Sequence, residues 1–341
     1  MAPREKVVYI DGAMGDGVIE REVLAARGYG LELAGCACDD EVVAVASEAT
    51  AILNAYYRIG AGLLERLPAL RVVVRGGVGY DNIDVDAATR AGVLVCNVVD
   101  YATHEVANHA FALLLALNRK LVPLDRAVRE GVLRPPAALM PHTGRLAGQT
   151  LGLVSFGAIA RAVADRARGF GMRVVAFDPH VDAADAAALG VALVPLPEVL
   201  AQADYVSVHT PLSAATRGLI GAEQLALMKP SAYLVLTSRG GVLDEAALVE
   251  ALSEKRIAGA GIDVWEDEPP GTDHPLLRLD NVIGSMHMAW YSEVADVARR
   301  RGHAESAADF LDGVSPRSVV NPAVLERFPL RRKERSNGYH R

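Results

Sequence analysis

Short Val-rich apolar runs alternate with helix-spaced patterns from one end of the chain to the other. In the first third the strand-like runs are VVYI (7–10), VVAVA (42–46), AILN (51–54), RVVVR (71–75) and VLVCN (93–97). The rhythm then changes. Between Thr103 and Lys120 apolar residues recur at helical spacing, with Thr103 read as the N-cap and basic residues at the far end, which predicts one long connecting helix. Beyond a loop containing Pro135, Pro136 and Pro141 come seven more strand-like runs: LGLVSF (151–156), RVVAFD (173–178), VALV (191–194), YVSVH (205–209), AYLVLTS (232–238), GAGIDV (259–264) and NVIGSM (281–286). A last helical pattern covers Ser292 to Leu311. Strands alternating with helices in this way predict an α/β fold with parallel sheets.

Length and composition sharpen this picture. At 341 residues the chain is long for one core and comfortable for two. It is 51% hydrophobic but only 5% aromatic, which suits sheets covered by Ala- and Leu-rich helices and argues against disorder. The net charge of -7 arises from interspersed acids and bases, so no basic stripe offers itself to nucleic acid. The basic tail LRRKERSNGYHR follows the last apolar segment and is expected to fray in solvent. Cys36, Cys38 and Cys96 are too few for a disulfide framework and lack zinc-site spacing. A reducing cytoplasm with no metal is the simplest expectation. No signal-type stretch precedes VVYI, and no apolar run reaches the roughly 18 residues of a membrane span.

Candidate chemistry begins at LGLVSFGAIA (151–160). A strand, a turn and a helix put the slots of a G-x-G-x-x-G dinucleotide fingerprint on Ser155, Gly157 and Ala160. Gly157 holds the slot where the backbone must approach a pyrophosphate, and Ala160 is a small change in helix-to-strand packing. Ser155 is the real departure: its Cβ costs about 1 kcal/mol if the tight turn needs an unusual φ/ψ. Alone, so degenerate a match fits an ordinary βα turn. Its context favours a nucleotide, because Asp178 ends the next strand 21 positions after Gly157, where a carboxylate can accept the ribose hydroxyls of NAD. Downstream, Arg239 in TSRGG, Asp263 and Glu268 in GIDVWEDEPP, and His287 in GSMHMAW all follow strand-like runs, at the sheet edge where α/β folds bind ligands. Singly they read as a surface charge, a hydrophilic loop residue and a core histidine. Together they supply a general acid with an anion anchor.

These residues resemble the D-isomer-specific 2-hydroxyacid dehydrogenase family. The likeness runs through GGVGYDNIDVDAATRAGVLVCNV (76–98), HEVANHAFALLLALNR, LGLVSFGAIARAVADRARGFGMRVVAFDP, MKPSAYLVLTSRGGVLDEAALVEAL, GAGIDVWEDEPP and HMAWYSE. The last block and VVVRGGVGYDNID are similar to the subgroup that contains the C-terminal binding proteins. The resemblance implies that Arg239, Glu268 and His287 form the catalytic triad. It places Arg75, Gly76, Gly77, Val78, Gly79 and Trp290 around the substrate, with loop N–H groups on its carboxylate. It places Ser155, Gly157, Ala158, Ile159, Asp178, Thr210, Pro211, Thr237, Ser238 and Asp263 along NAD. It further implies two Rossmann-like or flavodoxin-like parallel-sheet domains, an NAD-binding domain (102–290) being inserted into a substrate domain (1–101 and 291–341), and a homodimer. The helix 103–119 is then either an intersubunit face or an interior helix. Leu236 and Met286 depart from the family's usual Asn and Pro beside Arg239 and His287.

The implied reaction is reduction of a small 2-oxo acid by NADH. Its carboxylate would rest on Arg239 and the Gly77–Gly79 amides, while His287, its charge supported by Glu268, protonates the carbonyl oxygen. The substrate side chain is expected near Tyr56, Arg75, Met140 and Trp290. Two other readings stay open: a nucleotide-sensing protein that recruits partners, and a dehydrogenase acting on another small anion such as a phosphonate.

Overall fold

The computed structural model describes residues 5–11, 15–132, 134, 137 and 141–332. Pro135, Pro136, Met140 and tail residues 333–341, which carried expectations above, lie outside the described residues. The chain divides into two compact units, Met1–Tyr101 with Ser292–Arg341, and Ala102–Tyr291.

The first unit is built on five parallel strands: β1 (Val7–Tyr9), β2 (Leu31–Leu33), β3 (Ala51–Asn54), β4 (Val72–Arg75) and β5 (Leu94–Asn97), in the order β2-β1-β3-β4-β5. Helices α1 (Val18–Ala26), α2 (Asp39–Ala46), α3 (Ala61–Glu65) and α4 (Val85–Ala91) connect them. Every residue of β1 and β3 is buried, which is why these runs read as continuous apolar stretches without alternation.

The run VVAVA, expected as a strand, is helix α2. Asp39, Asp40 and Glu41 fill its first turn, where unpaired N–H groups favour negative charge. Val42 and Ala46, one helical turn apart, are the side chains it buries. The few residues before β3 also leave no room for the crossover that two parallel strands require. The strand that pairs on the other side of β1 is β2, three half-exposed residues too short to announce themselves.

The second unit holds seven parallel strands: β6 (Thr150–Val154), β7 (Arg173–Phe177), β8 (Ala192–Leu193), β9 (Tyr205–Val208), β10 (Tyr233–Leu236), β11 (Gly259–Ile262) and β12 (Val282–Gly284). Each lies within one of the expected runs except β6, which starts one residue earlier at Thr150, and the order is β12-β11-β10-β9-β6-β7-β8. The helices are α5 (Thr103–Arg119), α6 (Leu121–Arg129), α7 (Ala158–Gly169), α8 (Ala183–Ala188), α9 (Leu196–Gln202), α10 (Ala222–Ala226) and α11 (Glu245–Ser253). The expectation of an N-cap at Thr103 is corrected: Ala102 holds that position without a side-chain cap, and Thr103 is the first helical residue. Helix α5 buries Ala107, Ala110, Phe111, Leu114 and Leu117 within this unit.

Helix α12 (Glu293–Leu311), N-capped by Ser292, packs in the first unit against α1, β3 and β4. Its Arg300 is buried and donates to both oxygens of Glu20 at 2.9–3.1 Å, the pairing a buried guanidinium requires. No helix among the described residues is long and apolar enough to cross a membrane.

Candidate active site

In the second unit the strand order reverses between β6 and β9, so the loops after their carboxyl ends flank the position where open α/β sheets take ligands. The loop after β6 is the degenerate fingerprint. Ser155 adopts φ 80, the left-handed conformation that glycine enters freely and serine does not. Its hydroxyl donates to Asp178 Oδ2 at 3.1 Å, an interaction glycine lacks. The same oxygen accepts the Phe156 N–H at 2.8 Å, and Oδ1 accepts that of His180 at 2.8 Å. Burial raises the Asp178 carboxyl, and these hydrogen bonds outweigh it, so the group titrates below the ordinary aspartate value. Asp178 is thus a fixed anion at the tip of β7.

Three features test whether a dinucleotide fits here. Apart from its chain neighbours, a Cβ on Gly157 would meet no atom of the described residues within 4 Å, so the absent side chain leaves open space. Helix α7 has no side-chain cap, and the amides of Ala158 and Ile159 open its first turn, where the helix dipole favours an anion. The buried hydroxyls of Thr237 and Ser238, at the carboxyl end of β10, have no hydrogen-bond partner among the described residues. Ala160 is fully buried, as its packing slot demands. Thr210 Oγ1 is spent on Val154 O at 3.2 Å, while Pro211 lies exposed beside it.

The strands β10, β11 and β12 deliver Arg239, Glu268 and His287 to neighbouring loops of this sheet edge. His287 Nδ1 lies 2.7 Å from Glu268 Oε2, and Glu268 Oε1 accepts the Trp265 N–H at 3.1 Å. Burial raises the Glu268 carboxyl, but the hydrogen bond and charge of His287, the Trp265 N–H and the charge of Arg239 together hold it below the ordinary glutamate value. Arg239 Nη1 donates to Ser238 O at 2.8 Å. The turn bearing His287 is itself unusual, with φ 54 at that residue. Asp263 holds it: its backbone oxygen accepts the His287 N–H at 2.7 Å, and its fully buried carboxylate accepts Ser285 Oγ, Met288 N and Ala289 N. Strain of this kind persists only where the surroundings over-determine it. Met286, where the family's usual residue is Pro, is 79% exposed, and Leu236 is fully buried in the core. Trp290 is half-buried with its ring edge against Tyr291.

In the first unit the glycine loop follows β4. Gly76 N–H is spent on Asn54 O at 2.7 Å and Gly77 N–H on Arg75 O at 2.9 Å. The expected carboxylate donors therefore narrow to Val78 and Gly79, whose amides have no partner among the described residues. Val78 is 44% exposed, and the Arg75 guanidinium lies 6.0 Å from the centre of the Tyr56 ring.

The family model for the D-isomer specific 2-hydroxyacid dehydrogenase NAD binding domain matches residues 111–289. A glyoxylate reductase of Korarchaeum cryptofilum is 44% identical over 274 residues, covering 80% of this chain and 82% of that protein. The chain belongs to the D-isomer-specific 2-hydroxyacid dehydrogenase family. It is accordingly an NAD-dependent oxidoreductase of 2-hydroxy acids. A D-3-phosphoglycerate dehydrogenase of Mycobacterium bovis is 41% identical over 83% of this chain, which spans only 53% of that protein. Among solved structures, D-lactate dehydrogenase from Aquifex aeolicus, complexed with NAD and lactic acid, superposes with a TM-score of 0.82 at 27% identity, covering 95% of this chain and 98% of that one.

Two histidines, one in each unit, lie against candidate residues and carry no signal in the sequence. His109 on α5 reaches Ser285 Oγ at 2.9 Å and thereby braces the His287 turn. In the first unit, His303 of α12 lies beneath the glycine loop, so that a Cβ on Gly76 would come within 2.9 Å of its Nδ1. No local pattern links either histidine to the residues it supports.

Proposed function

We propose that this chain reduces a small 2-oxo acid to the D-2-hydroxy acid, with His287 delivering the proton and Arg239 anchoring the substrate carboxylate. The observation that carries the reading is the 2.7 Å contact between His287 Nδ1 and Glu268 Oε2 within the field of Arg239. Glu268 takes the Nδ1–H, which fixes the ring and turns Nε2 toward the substrate carbonyl. As the carbonyl oxygen gains charge, Nε2–H gives up its proton to it, and Glu268 compensates the ring's charge before that transfer. Arg239, a planar fork always protonated, suits two carboxylate oxygens. When bound, NADH supplies the hydride.

The groups that would hold the cofactor are the first amides of α7 behind Gly157, the unpartnered hydroxyls of Thr237 and Ser238, and Asp178. A fixed carboxylate at the ribose position favours NAD over a cofactor bearing a 2′-phosphate. In the first unit, the free Val78 and Gly79 amides form a loop suited to a small carboxylate in its own right.

The likeness to the glyoxylate reductase makes glyoxylate the first substrate to try. Loss of NADH absorbance is followed with glyoxylate, hydroxypyruvate, pyruvate and 3-phosphohydroxypyruvate, and the hydroxy acid formed from a prochiral substrate is resolved for its D configuration. Turnover with at least one is expected. Tight NADH binding with no turnover across the panel would overturn the reading in favour of a nucleotide sensor.

A further inference from the structure

Glu245 opens helix α11 and has no part in the chemistry above, yet it is only 9% exposed and both its oxygens are engaged. Oε1 accepts the Glu266 N–H at 2.8 Å. Oε2 pairs with His274 Nε2 at 2.9 Å. His274 Nδ1 accepts the Leu276 N–H at 3.3 Å, so the proton of the ring belongs on Nε2, facing Glu245. Glu245 therefore grips both ends of the segment 266–274, within which lies Glu268.

Two further contacts close the circuit. The His274 ring stands edge-on against Trp265, 5.4 Å between centroids, and the Trp265 indole N–H donates to Ser285 O at 2.9 Å. On its other side Gly240 lies so close that a Cβ there would come within 2.0 Å of the Trp265 carbonyl carbon. The peptide joining Trp265 to Glu266 is thus packed against the turn that bears Arg239 and held by Glu245, and the N–H of the same Trp265, in the preceding peptide, holds Glu268 Oε1. Glu268 itself is a third exposed, on the acidic, proline-containing turn EDEPPGTD, where an unanchored carboxylate would turn into water.

We propose that the Glu245–His274 pair is a positioning device for Glu268 and, through it, for the His287 ring. The inference rests on the reading of His287 as proton donor. Neither Glu245 nor His274 touches the reacting atoms; their effect passes through the backbone of Trp265, from the peptide it shares with Glu266 to its own N–H. Misplacing a catalytic pair by an ångström costs up to about 10²-fold in rate.

The test is steady-state kinetics of NADH-dependent glyoxylate reduction in E245A, E245Q, H274Q and the double variant E245A/H274Q. A fall in kcat of about tenfold is expected in E245A, with KM for glyoxylate and Kd for NADH changed less than about twofold. E245Q keeps an oxygen for the Glu266 N–H and should recover part of the loss. The double variant should be no worse than the poorer single one, because the two act as a unit. Should E245A fail to fold, E245Q combined with H274Q carries the same cycle. Unchanged kcat in a folded variant, or fully additive losses, would overturn the proposal.

A second readout needs no turnover. The His287 imidazole N–H proton, identified in NMR spectra by its loss in H287Q, should exchange faster with water in E245A. An unchanged exchange rate would also overturn the positioning role. Inactivity of the wild type toward every 2-oxo acid would instead sink the functional reading and leave the exchange test standing.

Discussion

Each unit is a parallel sheet whose strand order reverses once, between β1 and β3 in the first and between β6 and β9 in the second. The physics of the reversal is the same, since amides at the carboxyl ends of the flanking strands converge on a place that favours an anion. What fills that place differs. In the first unit Asp11, just after β1, turns its carboxylate into the loop after β3 and accepts the N–H groups of Ala55, Tyr56 and Tyr57. In the second, Gly157 leaves open space and the first turn of α7 is uncapped. Topology decides where an anion site forms; one side chain decides whether the protein occupies it itself. That contrast separates a sheet that holds its own acid from one ready for a dinucleotide.

The largest effect should come from His287, on the open edge. H287Q is expected to lower kcat by about 10²- to 10⁴-fold while fluorescence titration finds NADH binding intact. Near-normal turnover would move the proton donor elsewhere and dissolve the distinction between the two edges as far as chemistry is concerned.

Emptying the filled edge is the converse experiment. D11A leaves three loop amides without their acceptor and should cost about 1–3 kcal/mol in urea unfolding, with NADH affinity unchanged. Added phosphate should restore part of the stability by entering the vacated nest; a variant as stable as the wild type would mean that water serves the amides equally well.

Acid should weaken the first unit through His303. Burial, opposed by its hydrogen bond to Val74 O but reinforced by the charges of Arg299 and Arg75, pushes this imidazole down to about 3. The unfolded chain takes up a proton below about pH 6.5, whereas the folded ring stays neutral until about pH 3. Its contribution is therefore complete above pH 6.5 and is lost progressively toward pH 3, amounting to about 2 kcal/mol at pH 5. Unfolding of the wild type and of H303Q at pH 7 and pH 5 measures it; an equal drop in both would assign the acid sensitivity to other groups.

Filling the open edge with a single methyl group sharpens the contrast further. The methyl group of G157A meets no atom of the described residues beyond its chain neighbours, so stability should move by less than about 0.5 kcal/mol, while the Kd for NADH rises about tenfold. An unchanged Kd would show that no pyrophosphate rests there.

The smallest effect is expected at Ser155. S155G relieves a left-handed strain of about 1 kcal/mol and gives up a hydrogen bond to Asp178 of similar worth. Thermal unfolding should shift by no more than a few degrees; a large loss would mean that the hydroxyl, more than the backbone N–H groups, fixes Asp178.

What depends on near neighbours can be read along the chain. Buried parallel strands need unbroken apolar runs, which made β6, β9, β10 and β11 legible, and the edge strands β8 and β12 were read from short apolar runs although they are not buried. The Gly157 turn, Asp178, Arg239, Glu268 and His287 were legible because strand ends carry them to one edge in a fixed order. Tertiary structure decided the rest. VVAVA is apolar enough for either element, and its acidic first turn with too short a link to β3 made it a helix. Asp11 became an internal anion only because β1 and β3 lie side by side. His303 and Gly76 are separated by more than two hundred positions, and Glu245 and His274 by nearly thirty, yet each pair meets in a space too small for another atom group or in a hydrogen bond. Contacts of this kind carry no periodicity along the chain, because they are set by the packing of whole elements and not by the residues on either side.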